Sequence, residues 1–524
     1  MGYTKLVHGF LEDSAARFPD KKALCASGKW DSFAELDLRA NRIAGLLLRR
    51  GLKKGDRVAL FLENSPEYVA SYYAVLKAGG TTVALNTENT AEDISYILRD
   101  CGVRVLITGA KLMKRTLSRP AEAMPPAGTP AVPGAPLEAV FVWNAPQESE
   151  VREIGLPFVR LPEALASEPD DHPGVRVIDL DVASIVYTSG STGKPRGAVL
   201  SHLNIVSNTR SIVDYLRLTA DDRVLAVLPF HYIYGKSLLN THFFVGGSVV
   251  VDNRFLYPNV ILQTMREQDI TGFAGVPSTF TILLSRSNLK AMKFPSLRYV
   301  TQAGGAMPPS VQKEVAEAFA PARLFIMYGA TEASARLSYL DPADLPRKWG
   351  SIGKAIANVE LFVAGEDGHP LPAGVEGEIV ARGSNIMSGY WSHPEETDKV
   401  LKNGLYHTGD LGRMDDEGFL YVVGRSKDMI KIGGNRVSAK EIEEALHEHP
   451  AIIEAAVLGV PDDVLGEAPK AYIVVRKGAG ENIVAELPAF LQKHLAVYKI
   501  PKLYEIRESL PKNDAGKILK LKLK

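Results

Sequence analysis

Apolar and polar positions along the first hundred residues alternate between a helical period and strand-like runs. Ser32 and Glu35 have the spacing of a capping box ahead of a long helical pattern. Apolar runs at 57–62 and 103–108 predict buried strands, and a helical pattern at 66–78 lies between them. Helices and strands that alternate in this way predict an α/β fold with a mainly parallel sheet.

The pattern changes twice further along the chain. A second series of apolar runs predicts six more strands: 182–187, 224–228, 248–251, 271–275, 297–301 and 324–327. From 359 to 423 the runs are closely spaced with Gly turns, which predicts a smaller all-β subdomain. After Gly424 a compact α/β tail is expected, with a helix capped by Ser438 and Glu441, and with strands near 452–458 and 471–475.

Composition narrows the class of protein. A chain of 524 residues is too long for one hydrophobic core, so at least two domains are expected. The 61 Lys and Arg residues balance the 61 Asp and Glu residues. This balance argues against a protein whose surface is positively charged throughout for binding to nucleic acid or an anionic membrane. Cys25 and Cys101 have neither metal-site nor disulfide spacing and are interpreted as small buried hydrophobes. With no apolar run as long as a membrane span and no signal-peptide pattern, a cytoplasmic protein is expected.

Two local biases depart from this even composition. The segment 119–136 is rich in Pro, Ala and Gly and is interpreted as an exposed connecting loop. From Lys493 to Lys524 nine basic residues face three acidic ones, a local net charge of +6. By itself such a tail would suggest nucleic acid or membrane. The hypothesis preferred is a positive field that helps a mobile domain close over a polyphosphate.

The segment 187–197, YTSGSTGKPRG, follows a predicted buried strand. Its glycines let backbone N–H groups converge, its hydroxyls add donors, and Lys194 and Arg196 add positive charge, which suits a polyphosphate. It is not a Walker loop, because Pro195 stands where Ser or Thr would hold magnesium. The competing interpretation is a flexible Ser/Gly surface loop.

This segment resembles the phosphate-binding loop of the acyl-adenylate-forming superfamily, which includes acyl- and aryl-CoA synthetases, adenylation domains of peptide synthetases and firefly luciferase. Further segments match in the family's order as far as Lys517. The resemblance implies a large N-terminal adenylation domain, 1–426, of two doubly wound sheets plus a β-subdomain. A small mobile α/β C-terminal domain, 427–524, would carry the catalytic lysine. The implied cofactors are ATP, Mg²⁺ and coenzyme A, or a carrier-protein phosphopantetheine in place of CoA.

Matched positions imply a nucleotide site. The phosphate loop supplies seven residues: Thr188, Ser189, Gly190, Ser191, Thr192, Gly193 and Lys194. In the segment YGATE, an aromatic face, a turn glycine, a hydroxyl and a carboxylate follow one another. The resemblance gives adenine stacking to Tyr328, with Gly329 beside it, α-phosphate contact to Thr331 and magnesium to Glu332. The alternative interpretation of this segment is purely structural: a turn at the end of a strand, with a Thr that caps a helix and an exposed Glu.

Two more segments complete this predicted site. Gly304, Gly305 and Ala306 resemble the stretch that passes adenine and lines the acyl pocket, where glycines allow close backbone approach. Asp410 would accept both ribose hydroxyls, which a carboxylate can do, and Arg425 matches the arginine near ribose and phosphate. Taken singly, each of these segments would be an ordinary turn.

The C-terminal segments imply a moving domain. Lys427 matches the family's hinge, although a solvated surface lysine would look the same. Gly433 and Gly434 resemble the loop that borders the pantetheine tunnel, where a Cβ would narrow the channel. Lys517 matches the catalytic lysine, whose charge would act on the pentavalent α-phosphorus in the transition state. The nearby lysines at 512 and 520 are expected to be solvated.

The acyl pocket is marked by LPFHYIYG, where the family places a His or aromatic gate beside the carboxylate, so His231 is the candidate. A structural histidine is the alternative. Amino-acid-activating relatives carry an Asp near this point, whereas here Lys236 to Asn240 follow and no carboxylate occurs before Asp252. A carboxylic acid without a free α-amine is therefore expected, although Asn240 or a more distant acid could hold an amine.

The function expected is that of an ATP-dependent acyl-CoA synthetase of fatty acid metabolism, forming acyl-AMP and then a thioester. A stand-alone enzyme that loads a carrier protein uses the same chemistry and stays open. A non-catalytic scaffold with a decayed site would have lost Lys517, Glu332 or Asp410, and all three are present. A monooxygenase of the luciferase kind has no local support. Acyl chain length, aromatic or aliphatic preference and oligomeric state are left open by the sequence.

Overall fold

The structure is a computed structural model that describes residues 5–117, 137–144, 158–188, 195–425, 428–432, 435–462, 465–476, 478, 482–513 and 516–523. The Pro-rich segment 119–136 lies outside the described residues.

Twenty-six strands are described, in four sheets. In chain order the first sixteen are β1 Lys22–Ala26, β2 Lys29–Ser32, β3 Arg57–Phe61, β4 Thr81–Ala84, β5 Val103–Gly109, β6 Ala139–Trp143, β7 Phe158–Arg160, β8 Val182–Thr188, β9 Arg196–Ser201, β10 Arg223–Ala226, β11 Ser248–Val251, β12 Gly272–Gly275, β13 Tyr299–Gln302, β14 Arg323–Tyr328, β15 Ser338–Leu340 and β16 Lys354–Ala355. The remaining ten are β17 Val359–Ala364, β18 Gly377–Gly383, β19 Leu401–Lys402, β20 Leu405–Met414, β21 Leu420–Arg425, β22 Met429–Ile432, β23 Asn435–Ser438, β24 Ile452–Asp462, β25 Gly466–Val475 and β26 Leu503–Ile506.

The described α-helices are α1 Gly9–Arg17, α2 Phe33–Arg49, α3 Pro66–Lys77, α4 Ala91–Asp100, α5 Ala110–Leu117, α6 Leu161–Leu165, α7 His202–Leu216, α8 Ile233–Val245, α9 Pro258–Glu267, α10 Pro277–Arg286, α11 Pro309–Ala318, α12 Pro394–Val400, α13 Ala439–His447 and α14 Ile483–Leu491. Among the residues that the structure describes, no helix is long and apolar enough to cross a bilayer.

Two large sheets form the N-terminal part. One has seven strands in the order β7-β6-β5-β3-β4-β8-β9, and its pairs are parallel except β8 with β9. The other has nine strands in the order β16-β15-β14-β13-β12-β10-β11-β1-β2, parallel inside and antiparallel at both edges. The predicted α/β class with mainly parallel sheets is confirmed.

The core of this part lies between the two sheets. In α3 every residue from Tyr68 to Lys77 is buried, and in α8 every residue from Ile233 to Phe243 is buried. Side chains of both helices join those of strands from both sheets, such as Leu60 of β3 and Ala226 of β10, in one apolar cluster. The sequence of a helix that is buried on all sides is apolar around its whole circumference. Its hydrophobic pattern therefore does not show that a few of its buried residues are polar.

Several predicted elements are confirmed and some boundaries shift. Ser32 and Glu35 do form a capping box at the start of α2. The strand predicted at 297–301 begins at Tyr299, because the chain first makes a turn after the short helix Leu289–Ala291. The hairpin β1–β2 was missed, although its two-residue turn has the positive φ angles, 50° at Ser27 and 78° at Gly28, typical of such connections.

The region 359–423 is not all-β as predicted. Its sheet, β17 to β21, is antiparallel, but α12 interrupts it after β18. Pro394 at the first turn and two acidic residues after it favour a helix start, and no residue of α12 is buried, so no apolar periodicity marked it.

The C-terminal part is a small α/β unit, as expected. Its sheet has the order β23-β22-β25-β24, with β26 paired in parallel with β25. Strand β24 runs to Asp462, four residues beyond the predicted end, as one arm of a long hairpin with β25. Ser438 caps α13 by accepting a hydrogen bond from the backbone N–H of Glu441, as predicted.

Candidate active site

One cavity of about 920 Å³ lies where the large sheets, the small antiparallel sheet and the C-terminal unit meet. The carboxyl ends of β8, β13 and β14 point into it, which is where open α/β sheets bind ligands. It collects every predicted site residue that the structure describes: Thr188, His231, Gly304, Gly305, Ala306, Tyr328, Gly329, Thr331, Glu332, Asp410, Arg425 and Lys517.

Some predicted positions lie outside the described residues. They are Ser189 to Lys194 of the glycine-rich loop, Lys427, Gly433 and Gly434. The described residues that flank the loop, Thr188 at the end of β8 and Pro195 and Arg196 beyond it, all line the cavity.

Asp410, itself buried, stands at the centre of a polar triad with two partly exposed residues, Tyr328 and Arg425. It lies in β20 directly opposite Arg425 of β21, and the Arg425 Nε donates to its Oδ1 at 2.7 Å. The Tyr328 hydroxyl donates to Oδ2 at 2.6 Å. Burial, and after it the Asp410 carboxylate, raise the pKa of Tyr328, so this hydroxyl stays a donor. Since each carboxylate oxygen has a second lone pair, Asp410 can still accept from a vicinal diol.

Glu332 is held by a residue that the sequence analysis missed. It lies in the short 3₁₀ helix Thr331–Ala333, and its Oε1 accepts a hydrogen bond from the Tyr390 hydroxyl at 2.7 Å. Burial, and after it Glu332, raise the pKa of Tyr390, which keeps this hydroxyl protonated. The Arg196 guanidinium lies 5.7 Å from the centre of the Tyr390 ring. The carboxylate is thus oriented at the cavity wall.

Backbone conformation at the cavity requires glycine at two points. A Cβ on Gly329 would lie 1.9 Å from the carbonyl oxygen of Ala335. Gly304 has a φ of 84°, and a Cβ there would lie 3.0 Å from Val276. Gln302 donates from its side-chain amide to the carbonyl of Gly305 at 2.8 Å and so fixes the turn that Gly304 opens.

His231 and Tyr232 form the cavity wall just before α8. Burial, and after it the Lys236 ammonium, lower the pKa of His231 to about 3, so the imidazole is neutral at physiological pH. A neutral ring can accept or donate a hydrogen bond to a bound carboxylate without adding charge.

A tight turn presents Lys517 to the cavity. The Asn513 N–H donates to the Lys517 carbonyl at 2.9 Å, and the Asn513 side chain accepts from the Lys517 N–H at 2.8 Å. Gly516 in this turn has a φ of 75°, and a Cβ there would lie 2.3 Å from the hydroxyl of Ser278 in α10. The turn therefore packs closely against the N-terminal part.

The neighbouring lysines differ from expectation, because they are ion-paired and not solvated. Lys512 pairs with Glu454 at 2.5 Å, and Lys520 pairs with Glu443 at 2.6 Å. Both pairs are partly buried and belong to the C-terminal unit, where they anchor the segment that carries Lys517.

Comparison with known proteins agrees with this geometry. A family model described as AMP-binding enzyme matches residues 11–391, and one described as AMP-binding enzyme C-terminal domain matches residues 441–517. The chain is 35% identical to a long-chain-fatty-acid–CoA ligase of Bacillus subtilis, over 99% of this chain and 94% of that protein. It is 32% identical to a feruloyl-CoA synthase of an Amycolatopsis species, over 96% and 95% of the two chains.

Two solved structures are similar over nearly the whole chain. The anthranilate CoA ligase AuaEII in complex with anthranoyl-AMP has a TM-score of 0.89 at 27% identity, covering 99% of this chain and 96% of that one. ATP-bound MatB from Rhodopseudomonas palustris has a TM-score of 0.85 at 30% identity, covering 99% and 98%.

Proposed function

The chain belongs to the family of AMP-binding enzymes and is an AMP-forming acid–thiol ligase that makes an acyl-CoA at the expense of ATP; we propose how its residues divide this work between two half-reactions. The observation that carries the assignment is that Lys517, from the C-terminal unit, shares one cavity with Tyr328, Glu332 and Asp410 of the N-terminal part.

In the first half-reaction the acid's carboxylate attacks the α-phosphorus of ATP. A carboxylate oxygen–phosphorus bond forms, the bond from the α-phosphorus to the bridging oxygen breaks, and pyrophosphate leaves with that electron pair. Tyr328 stacks on adenine, Asp410 accepts the ribose hydroxyls, and Thr331 donates to the α-phosphate. Lys517 neutralises charge that develops on the pentavalent phosphorus, an effect realised in the transition state.

The β- and γ-phosphates are assigned to the loop from Thr188 to Lys194, whose flanking residues line the cavity. Arg425 supports the ribose end through Asp410. The backbone from Gly304 to Ala306 is assigned to the adenine and acyl side of the cavity.

A magnesium ion fits the donor set around Glu332. The described residues contain no group of three or more His, Cys, Asp or Glu that could cage a metal. A single carboxylate oriented by Tyr390 suits Mg²⁺, which commonly binds through one or two carboxylates and the substrate's phosphates. When bound, the ion would supply charge neutralisation on the triphosphate.

In the second half-reaction a thiol takes the acyl group. The thiol releases its proton to solvent, a sulfur–carbonyl carbon bond forms, and the bond from that carbon to the AMP phosphate oxygen breaks, so that AMP leaves with that electron pair. We assign this step to a rearranged state in which the domain 427–524 turns about Lys427 and the loop with Gly433 and Gly434 borders the pantetheine arm. One cavity then serves two unlike steps, which a domain on a short hinge permits.

The substrate is proposed to be a carboxylic acid without a free α-amine, used with coenzyme A in cytoplasmic fatty acid metabolism. The side chains of α8 support the absence of an amine. Next to His231 this helix carries the buried basic residue Lys236, whereas an ammonium group on the substrate would need a carboxylate.

Pyrophosphate exchange over a panel of fatty, aryl, dicarboxylic and amino acids tests the first half-reaction. Thioester formation with CoA, compared with a phosphopantetheinylated carrier protein, tests the second. Exchange that no carboxylic acid supports would refute the adenylation proposal, and transfer to the carrier but not to CoA would reassign the acceptor.

A further inference from the structure

The helix that follows the cavity wall buries a lysine whose ammonium group has no hydrogen-bond or ion-pair partner in the part of the chain that the structure describes. Lys236, in the first turn of α8, has a fully buried side chain, and its Nζ has no hydrogen-bond partner among the described residues. Burial alone lowers the pKa of Lys236 to about 7. Fully buried lysines are rare unless they are paired, so this one calls for a partner of its own.

Lys236 lies one helical turn behind a cavity-lining residue. Tyr232 lines the cavity, and the Lys236 N–H donates to the Tyr232 carbonyl at 2.9 Å across the first helical turn. Residues four apart lie on one face of a helix, so Tyr232, Lys236 and Asn240 follow one another away from the cavity. Asn240 is also buried, and its Oδ1 has no hydrogen-bond partner in the described part of the chain.

Two strands repeat this arrangement. In β8, Val186 lines the cavity and Ser184 lies two residues earlier, on the same face. In β4, Ala84 lines the cavity and Thr82 lies two residues earlier. Thr82 and Ser184 are fully buried, and their hydroxyl oxygens are 2.5 Å apart. Each element thus passes from a cavity-lining residue to a buried polar one.

Tyr72 of α3 joins these polar groups. Its ring centre lies 5.0 Å from the Lys236 Nζ, and its hydroxyl faces Asn240 and Ser184. Yet this hydroxyl makes no hydrogen bond of normal geometry with any described residue. We call the five residues Tyr72, Thr82, Ser184, Lys236 and Asn240 the polar floor.

We propose that the polar floor binds the far end of the acyl group and that the preferred acid carries a second carboxylate there. The inference rests on the proposed function, because it places the reacting carboxylate near His231 and Lys517. A carboxylate has enough lone pairs to accept from both the Lys236 ammonium and the Tyr72 hydroxyl. It also supplies the counter-charge that the buried ammonium lacks.

A purely apolar tail would leave these donors without partners, which is how polar sites reject analogues that lack the matching group.

The selectivity test uses matched acids of equal chain length: alkanoic, ω-hydroxyalkanoic and α,ω-alkanedioic. At the best length, the wild-type kcat/KM in pyrophosphate exchange is expected to be at least tenfold higher for the dioic acid than for the alkanoic acid. Lys236→Met is expected to lose or invert this preference, while Lys293→Met, at an exposed position, keeps it. An unchanged ratio in Lys236→Met would overturn the inference and leave buried water as the occupant of the polar floor.

A binding measurement separates this inference from the proposed function. Isothermal titration of a dioic acid at pH 8, in two buffers of different ionisation enthalpy, reports proton uptake. The titratable groups next to Lys236 are Tyr72 of α3 and His231, and both stay neutral at pH 8 because burial raises the pKa of Tyr72 and lowers that of His231. Pairing with a carboxylate would protonate Lys236, so uptake close to one proton is expected for the wild type and none for Lys236→Met or for an alkanoic acid.

These outcomes are distinguishable. Proton uptake that depends on Lys236, in a protein that activates no acid, would support the polar floor and refute the proposed reaction. Exchange with monocarboxylic acids, together with absent or proton-neutral binding of every dioic acid, would refute the polar floor and leave the reaction standing.

Discussion

Replacing Lys236 by methionine removes a buried ammonium group from the ligand-free protein and keeps a side chain of similar length, and it is expected to stabilise the fold. Burial lowers the pKa of Lys236 from its ordinary value of 10.5 to about 7. Each tenfold change in proton affinity is equivalent to about 1.36 kcal/mol, so the charged form costs the native state about 5 kcal/mol. Methionine does not carry this cost, and replacing buried charged groups by apolar side chains of similar volume is often neutral or stabilising.

The sign of the pH dependence follows from the same values. Because the native pKa lies below that of the unfolded chain, the unfolded state binds more protons between pH 7 and 10.5, and native stability rises with pH across this window. The cost becomes complete only as the pH falls well below 7. The stabilisation by Lys236→Met is therefore expected to be largest at pH 6.5 and to fade towards pH 10.

Urea unfolding of the ligand-free proteins, followed by intrinsic fluorescence at pH 6.5, 8 and 9.5, measures this difference. Lys293→Met, which removes an exposed charge, is the control and should change the unfolding free energy by less than about 0.5 kcal/mol at each pH. A Lys236→Met protein that is less stable than wild type at pH 6.5, or whose advantage does not change with pH, would refute the view that the buried Lys236 ammonium has no hydrogen-bond or ion-pair partner, as found among the described residues.

Three further predictions concern the nucleotide side of the cavity. Lys517→Ala should reduce pyrophosphate exchange about a hundredfold or more and spare thioester formation from supplied acyl-AMP. The control Lys522→Ala, at an exposed position, should leave both reactions unchanged. Normal exchange in Lys517→Ala would refute the assignment of Lys517. Tyr390→Phe removes the hydrogen bond to Glu332 and should lower kcat/KM for ATP about tenfold at limiting magnesium, with partial recovery at high magnesium; an unchanged magnesium dependence would contradict the pairing. Asp410→Asn should raise KM for ATP on the order of tenfold, and its KM for 2′,3′-dideoxy-ATP should match that for ATP; a variant that still discriminates the two would refute the ribose contact.

The convergence of Thr188, Tyr328 and Glu332 could be predicted from the sequence, because each motif follows an apolar strand and parallel strands end at the same edge of a sheet. Tyr390 could not. It reaches Glu332 because the segment around it pairs with β9, through an isolated bridge between Ala198 and Tyr390. Such pairing leaves no periodicity in the sequence.

The polar floor could not be predicted from the sequence for a different reason. Lys236 stood out in the sequence only as a position without a carboxylate, since nothing local distinguishes a buried lysine from a snorkelling one. Its burial follows from the placement of α8 between two sheets, a long-range consequence of strand order. Asn240 and Tyr72 come beside it by the same packing, so the cluster becomes visible only in three dimensions.

The basic residues from Lys493 to Lys524 need another interpretation once the acidic residues that pair with them are known. Over the whole stretch 427–524, sixteen Lys and Arg face fourteen Asp and Glu, so the excess beyond residue 493 is largely balanced by acids earlier in the same unit. Lys499 pairs with Glu441, just as Lys512 and Lys520 pair with Glu454 and Glu443. Paired charges contribute little field beyond about 10 Å in physiological salt. The hypothesis of a general positive field closing over a polyphosphate is therefore not supported. The ion pairs of Lys512 and Lys520 instead hold the backbone on both sides of Lys517, the residue proposed to act on the reacting phosphate.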